Sequence, residues 1–180
     1  MEQQSDDVVV QRVRAGDVEA FALLVDRHHA RLARYALHLL GDRADAEEQV
    51  QEAFVRAYRS LARYQERDQF GAWILRILVN RCRTAWARDA RRSAATAAWA
   101  LEATEGPDLT EELALREELA AALAQLPGDQ REAVVLRYAE ELGYEEIAAI
   151  TGAGISALKM RVKRGCERLR TLLEATRAGT

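Results

Sequence analysis

A chain of 180 residues with 49% hydrophobic side chains has room for one large or two small domains and a real core. Two prolines and ten glycines are too few for the turns of an all-β fold, and no apolar run reaches the roughly 18 residues a membrane span needs. A net charge of −3 does not by itself suggest nucleic acid, so the placement of the charges matters more than their sum.

Residues 1–7 are acidic and polar and carry no signal peptide, so the expected location is the cytoplasm. A helical signal begins near Val8 and stops at Gly16, and Asp17 can cap the next helix. Phe21, Leu24, Val25, His28, Leu32, Tyr35, Ala36 and Leu39 then keep helical spacing. Gly41 and Asp42 end that helix and open another, whose apolar stripe is Ala46, Val50, Ala53, Phe54, Ala57, Tyr58 and Leu61. Its opposite face holds Glu48, Gln51, Glu52, Arg56 and Arg59. Polar residues 65–69 break the pattern, and helix resumes near Phe70 with Trp73, Ile74, Ile77 and Leu78 expected inside. Arg76, Asn80 and Arg83 stand at i, i+4 and i+7 and share one face.

Past Arg92 the periodicity fades into an Ala-rich and then acidic stretch, with Gly106-Pro107 as a turn and Thr110 as a cap for a second domain. Residues 95–103 could add a short helix. Leu115, Leu119, Leu123 and Leu126 stripe the next predicted helix. After Pro127-Gly128, Asp129 and Glu132 resemble a capping box that opens a helix to about Tyr138.

The last third is the most informative. A short helix at 144–151 runs through Gly152-Ala153-Gly154 into a longer basic helix, the parts of a helix-turn-helix. Ala148 is small where the helices cross, and Gly152 can take the positive φ of the turn. Ile155, Leu158, Val162, Cys166 and Leu169 fall on one side of the second helix. Ser156, Ala157, Met160, Lys163 and Arg164 project from the other, with Lys159 and Arg161 at the boundary. Such a face can enter a major groove; a solvated amphipathic helix pair is the plainer alternative.

Charge supports the first choice. Positions 76–92 hold six Arg against one Asp, and positions 159–170 hold six basic residues against one Glu. Between them, positions 101–118 hold seven acids against one Arg. A GC-rich genome would favour Arg, but it does not explain why both lysines, Lys159 and Lys163, fall in one basic stretch. Cys82 and Cys166 form no pair or zinc spacing, and the three histidines find no partner ligands, so neither metal nor cofactor is expected.

Residues 126–137, from Leu126-Pro127-Gly128 to Val135-Leu136-Arg137, followed by Gly143-Tyr144-Glu145-Glu146-Ile147-Ala148, resemble the fourth region of extracytoplasmic-function sigma factors. Residues 159–170 resemble its closing helix. Asp45-Ala46-Glu47-Glu48-Gln49-Val50-Gln51-Glu52-Ala53-Phe54 resembles the core-binding helix of the second region, and Phe70-Gly71-Ala72-Trp73-Ile74 through Asn80 its promoter-melting helix. Gln49 stands where Leu is usual, and Gly143 where Ser or Thr often caps. Ala153-Gly154 and Ser156-Ala157-Leu158 also depart from the common turn and helix start.

The resemblance implies an all-α fold of two small helical domains joined by a flexible linker: 1–92 as region 2, 93–110 as acidic linker and 111–180 as the region 4 helix-turn-helix. It implies a promoter-reading subunit without catalytic residues. Asp45, Glu48, Gln51, Glu52 and Arg56 would dock on core RNA polymerase, though an ordinary solvated face has the same composition. Tyr64, Trp73, Arg76, Asn80, Arg81, Arg83 and Arg88 would meet the minus-ten element, with Trp73 and Phe70 also readable as core. Ser156, Lys159, Met160, Arg161, Lys163 and Arg164 would meet the minus-thirty-five element. The linker is either a solvated tether or a segment lying on the nucleic-acid path, and an anti-sigma factor is an implied partner. A stand-alone helix-turn-helix regulator shares the second half only. An all-helical enzyme finds no nucleophile–base pair, phosphate loop or ligand set in the sequence.

Overall fold

The computed structural model describes residues 4–65, 69–95 and 111–178. Among these are eight α-helices, two short 3₁₀ turns and no strand, the all-α architecture expected from composition. The chain divides into two compact units, Met1–Arg83 and Thr84–Thr180. Of the expected linker, residues 93–95 continue a helix; residues 96–110, with the turn at Gly106-Pro107 and the cap at Thr110, lie outside the described residues. Among the described residues, no helix is long and apolar enough to cross a membrane.

In the first unit, α1 (Asp6–Arg14) starts at Ser5, whose side chain accepts from Val8 N–H. Asp6 and Asp7 in its first turn suit the positive end of the helix dipole. It buries Val9, Val10 and Val13. Asp17 caps the short 3₁₀ turn Val18–Ala20 and takes two hydrogen bonds from Arg12, at 2.7 and 3.1 Å. Those bonds hold the Asp17 carboxyl below its ordinary range. α2 (Phe21–Leu40) ends at Gly41, where φ is +79°, and Asp42 accepts from Asp45 N–H at 2.8 Å to open α3 (Arg43–Ser60).

The pair α2–α3 is the main packing contact of this unit. Leu24, Leu32, Tyr35, Ala36 and Leu39 are buried on α2; Ala46, Val50, Ala53, Phe54 and Ala57 on α3. Each fully buried Leu or Val contributes about 1.5–3 kcal/mol before the cost of ordering it. Gln49 is buried with them. Tyr58, expected in the stripe, is exposed instead. A 3₁₀ turn, Leu61–Arg63, closes α3.

α4 (Phe70–Ala95) buries Phe70, Ile74, Leu75, Leu78, Val79 and Cys82. Trp73 and Ile77, expected inside, are only half-buried. Burial at both 74–75 and 78–79 turns Ile77 to the margin of the apolar side and puts Trp73 nearly opposite it, where the Tyr64 and Phe70 rings cover it in part.

The second unit gathers α5 (Glu111–Ala124), α6 (Gly128–Tyr138) and α7 (Tyr144–Thr151) on α8 (Ile155–Ala178). The stripe expected on α5 is corrected at its start: Leu115 and Leu119 are exposed, and Ala122, Leu123 and Leu126 are buried. The apolar side turns inward only over the last turn. The capping box at Asp129 and Glu132 is corrected too. Pro127 occupies the N-cap, so Asp129 lies inside the first turn and Glu132 is buried. The main packing contact of this unit lies between α6 and α8. A Cβ on Gly165 would meet Val134 Cγ2 at 2.6 Å and Gln130 O at 3.4 Å.

Candidate nucleic-acid interface

In the second unit the interface is built by α7, its turn and α8. Glu146 Oε2 accepts from Gly143 N–H at 2.7 Å, one half of a capping box; glycine has no hydroxyl to return the bond. α7 buries Ile147 and Ile150 and stops at Gly152, whose φ is +72° and whose N–H reaches Ala148 O at 2.8 Å. Thr151 Oγ1 donates to Ile147 O and accepts from Ala153 N–H, which fixes the turn.

α8 then buries Leu158 and Val162 and presents Ser156, Lys159, Met160, Lys163 and Arg164 to solvent. Cys166 and Leu169 are half-buried. Ile155, expected on the buried side, is 39% exposed, because the helix is still entering the unit there. Arg161 is half-buried, and its Nε reaches Asp129 Oδ2 at 3.1 Å. Of the cations expected at the interface, Lys159, Lys163 and Arg164 are thus the exposed ones. Lys163 lies 3.9 Å from Glu167 one turn on, and such an exposed pair contributes little.

Sequence reasoning missed Tyr144. The Lys159 ammonium lies 5.8 Å and the Arg137 guanidinium 5.4 Å from its ring centroid, within cation–π range. Arg137 also donates to Leu142 O at 2.8 Å, which ties α6 to the loop before Tyr144. An aromatic opening an acidic helix was the available signal. Deeper in the unit, burial lowers the pKa of Arg131, which donates to Ala124 O. The Tyr138 phenol is raised, chiefly by its hydrogen bond with Cys166.

In the first unit, α4 carries Arg76 and Asn80 exposed and Arg83 half-buried; Arg88, on the stretch of the same helix that belongs to the second unit, is exposed. Arg81 is only 18% exposed and lies 4.0 Å from Glu52. Trp73 packs 5.2 Å from Tyr64 and 5.6 Å from Phe70, ring to ring. Tyr64 itself is 5% exposed, with its hydroxyl donating to Asp7 at 2.8 Å, so its ring is core and not surface.

On α3, Glu48, Gln51 and Arg56 are exposed and Asp45 and Glu52 half-buried. Beside them runs a groove of about 820 Å³ between α2 and α3, lined by Phe21, Val25, His29, Phe54, Val55 and Tyr58 among others. Phe21 meets Tyr58 edge-on at 5.2 Å and Phe54 at 6.4 Å. Sequence reasoning missed this groove, since periodicity marks an apolar side without telling whether it is covered. Among the described residues, no cluster of three or more His, Cys, Asp or Glu could hold a metal ion. Cys82 is buried and Cys166 half-buried, both as free thiols.

Two family descriptions match the chain: Sigma-70 region 2 over residues 24–92, and Sigma-70, region 4 over residues 116–169. The ECF RNA polymerase sigma-E factor of Escherichia coli K12 is 35% identical over 178 residues, covering 92% of this chain and 93% of its own. The RNA polymerase sigma-H factor of Pseudomonas aeruginosa is 32% identical over 187 residues, covering 96% and 95%. Among solved structures, the sigma factor RpoE in complex with the anti-sigma factor NepR from Bartonella quintana matches with a TM-score of 0.72 at 28% identity, over 86% of this chain and 96% of that one. CnrH in complex with the cytosolic domain of CnrY matches with a TM-score of 0.67 at 28% identity, over 96% and 99%.

Proposed function

The chain belongs to the sigma-70 family of RNA polymerase sigma factors, in its extracytoplasmic-function branch, and from that premise we propose how its two units share the work. It binds core RNA polymerase, directs promoter-specific initiation and answers to an anti-sigma factor. Its part is recognition, with no reaction assigned to its side chains, and it works in the cytoplasm, where the polymerase is.

Residues 1–92 act as region 2 and 111–180 as region 4, with 93–110 between them. The observation that carries this reading is the α8 face. Ser156, Met160, Lys163 and Arg164 are exposed opposite buried Leu158 and Val162, after a left-handed turn at Gly152. A helix held in that way can lie in the major groove of the minus-thirty-five element. Ser156 and Met160 face base edges, Lys163 and Arg164 phosphates, and Lys159 acts from its place over Tyr144. Arg161 contributes after leaving Asp129.

On α4, Arg76, Asn80, Arg83 and Arg88 take the minus-ten strand, Trp73 offers a ring edge for a displaced base, and Arg81 stands behind them. Tyr64 serves from below as a support. The polymerase grips α3 through Asp45, Glu48, Gln51, Glu52 and Arg56, and the neighbouring groove adds apolar area to a contact that charge alone would leave weak.

Gel filtration with core polymerase, followed by run-off transcription from a library of genomic fragments, tests the assignment. Co-elution and transcripts from a discrete set of start points are expected. A chain that binds such fragments alone and does not co-elute would instead be a stand-alone regulator.

A further inference from the structure

The first turn of α1 carries two carboxylates that reach different elements. Asp6 accepts from Arg27 at 2.8 Å and lies 2.7 Å from His28 Nε2, both on α2. The His28 ring stands 5.4 Å from Phe70, the first residue of α4. Asp7 accepts from the Tyr64 hydroxyl at 2.8 Å, and the hydroxyl oxygen accepts from Gln69 N–H at 3.2 Å. Gln69 precedes α4, and its carbonyl takes a bond from Trp73 N–H at 2.9 Å. From the other end of α1, Arg14 donates to the carbonyls of Leu61 and Tyr64. One nine-residue helix thus satisfies backbone groups after α3 and, through a hydroxyl, the residue that opens α4.

The corner it secures is aromatic. Tyr64 lies 5.7 Å from Phe70 and 5.2 Å from Trp73, with Phe70 and Trp73 5.6 Å apart. Trp73 is half-buried in the first turn of α4, three residues before Arg76. Opening a duplex costs stacking energy, and only groups already held in place return enough of it. A loose helix start would lose part of that return to ordering.

We infer that α1 is a positioning helix for promoter opening. The relay from Asp7 through Tyr64 to Gln69 sets the start of α4, and with it Trp73 and the face of Arg76, Asn80 and Arg83. The inference rests on the reading that this face meets the minus-ten element. Asp7, Tyr64 and Arg14 need not touch DNA to act.

Tyr64→Phe keeps the ring stack and deletes the hydroxyl; Asp7→Ala deletes its acceptor. Each variant, and the two combined, is assembled with core polymerase. The probes come from one promoter recovered by transcription of the genomic library: its minus-ten strand as a single-stranded oligonucleotide, its minus-thirty-five half as duplex, and the whole promoter for open-complex yield. Polymerase affinity and minus-thirty-five binding are expected to stay within about twofold of wild type. Minus-ten strand affinity and open-complex yield are expected to fall about five- to tenfold, the scale of part of one lost hydrogen bond to a carboxylate. The double variant is expected to match the weaker single one, because both cut the same relay.

Wild-type opening by both single variants overturns the inference, and so does an additive loss in the double variant. An equal loss in all assays overturns it too, since that reports unfolded protein. Arg76→Ala separates the two levels. If it leaves strand affinity unchanged, the minus-ten reading itself fails. If it weakens the strand while Tyr64→Phe does not, only the positioning role fails.

Discussion

Gly165→Ala is the sharpest test of how α8 is held. The added methyl would stand 2.6 Å from Val134 Cγ2 and 3.4 Å from Gln130 O. Val134 cannot swing away, because a β-branched side chain in a helix has one strongly preferred rotamer and Val134 is buried. Either α6 and α8 separate by several tenths of an ångström or the rotamer is strained, at about 1–3 kcal/mol. Against this, Ala in a helix interior is favoured over Gly by about 1 kcal/mol. The contact is far inside normal separation, so the upper part of the cost applies and the net loss is about 1–2 kcal/mol. For a small domain that lowers Tm by roughly 5–15 °C. Circular dichroism melting at 222 nm on the full chain measures it. A Tm equal to or above wild type would refute the claim that α6 and α8 meet at this glycine.

The same geometry sets three further outcomes. Lys163→Ala weakens binding of the holoenzyme to the minus-thirty-five duplex and lowers the slope of log affinity against log salt by about 1, measured by fluorescence anisotropy between 50 and 200 mM salt; an unchanged slope removes Lys163 from the phosphate contacts. Glu52→Ala weakens core polymerase binding about three- to tenfold, the scale of one interfacial charge at a half-exposed position, as read by competition against the unmodified chain. Gly143→Ser supplies the missing half of the pair with Glu146 at an N-cap whose φ and ψ, −70° and 158°, suit serine. A gain of about 0.3–0.8 kcal/mol in urea unfolding is expected, and a loss would show that the turn tolerates no side chain.

What could be read in the sequence was what local rules govern. Gly41 with Asp42 and Gly152 with its turn were legible because positive φ and side-chain caps are decided within a few residues. The exposed α8 face was legible for the same reason, as one helix period separates Leu158 from Val162. Errors arose where a distant partner decides. Tyr64 reads as a surface aromatic until Asp7, 57 residues earlier, is seen to hold its hydroxyl. Leu115 and Leu119 keep the period of a buried stripe, yet only the last turn of α5 is covered. The Phe21 and Tyr58 groove was hidden because spacing identifies an apolar side but cannot say that part of it is left open. At Asp129 two local signals competed, and proline at the N-cap prevailed over the capping-box pattern.

A net charge of −3 beside two basic faces has a consequence for how such a factor selects promoters. Beyond about 8 Å, charges are screened at physiological ionic strength, so each face attracts DNA only on contact. If Lys159, Lys163 and Arg164 each neutralise one phosphate, binding by α8 falls about 40-fold between 50 and 200 mM salt, at roughly 0.9 counterions per contact. One such helix is a weak binder in the cell. Two weak contacts become strong when one carrier presents both, because the second then forms at an effective concentration near millimolar. The polymerase is that carrier under the proposed function, so a hold on α3 would multiply both DNA contacts. A partner that occupies the α3 surface therefore removes more promoter affinity than one that covers either basic face alone.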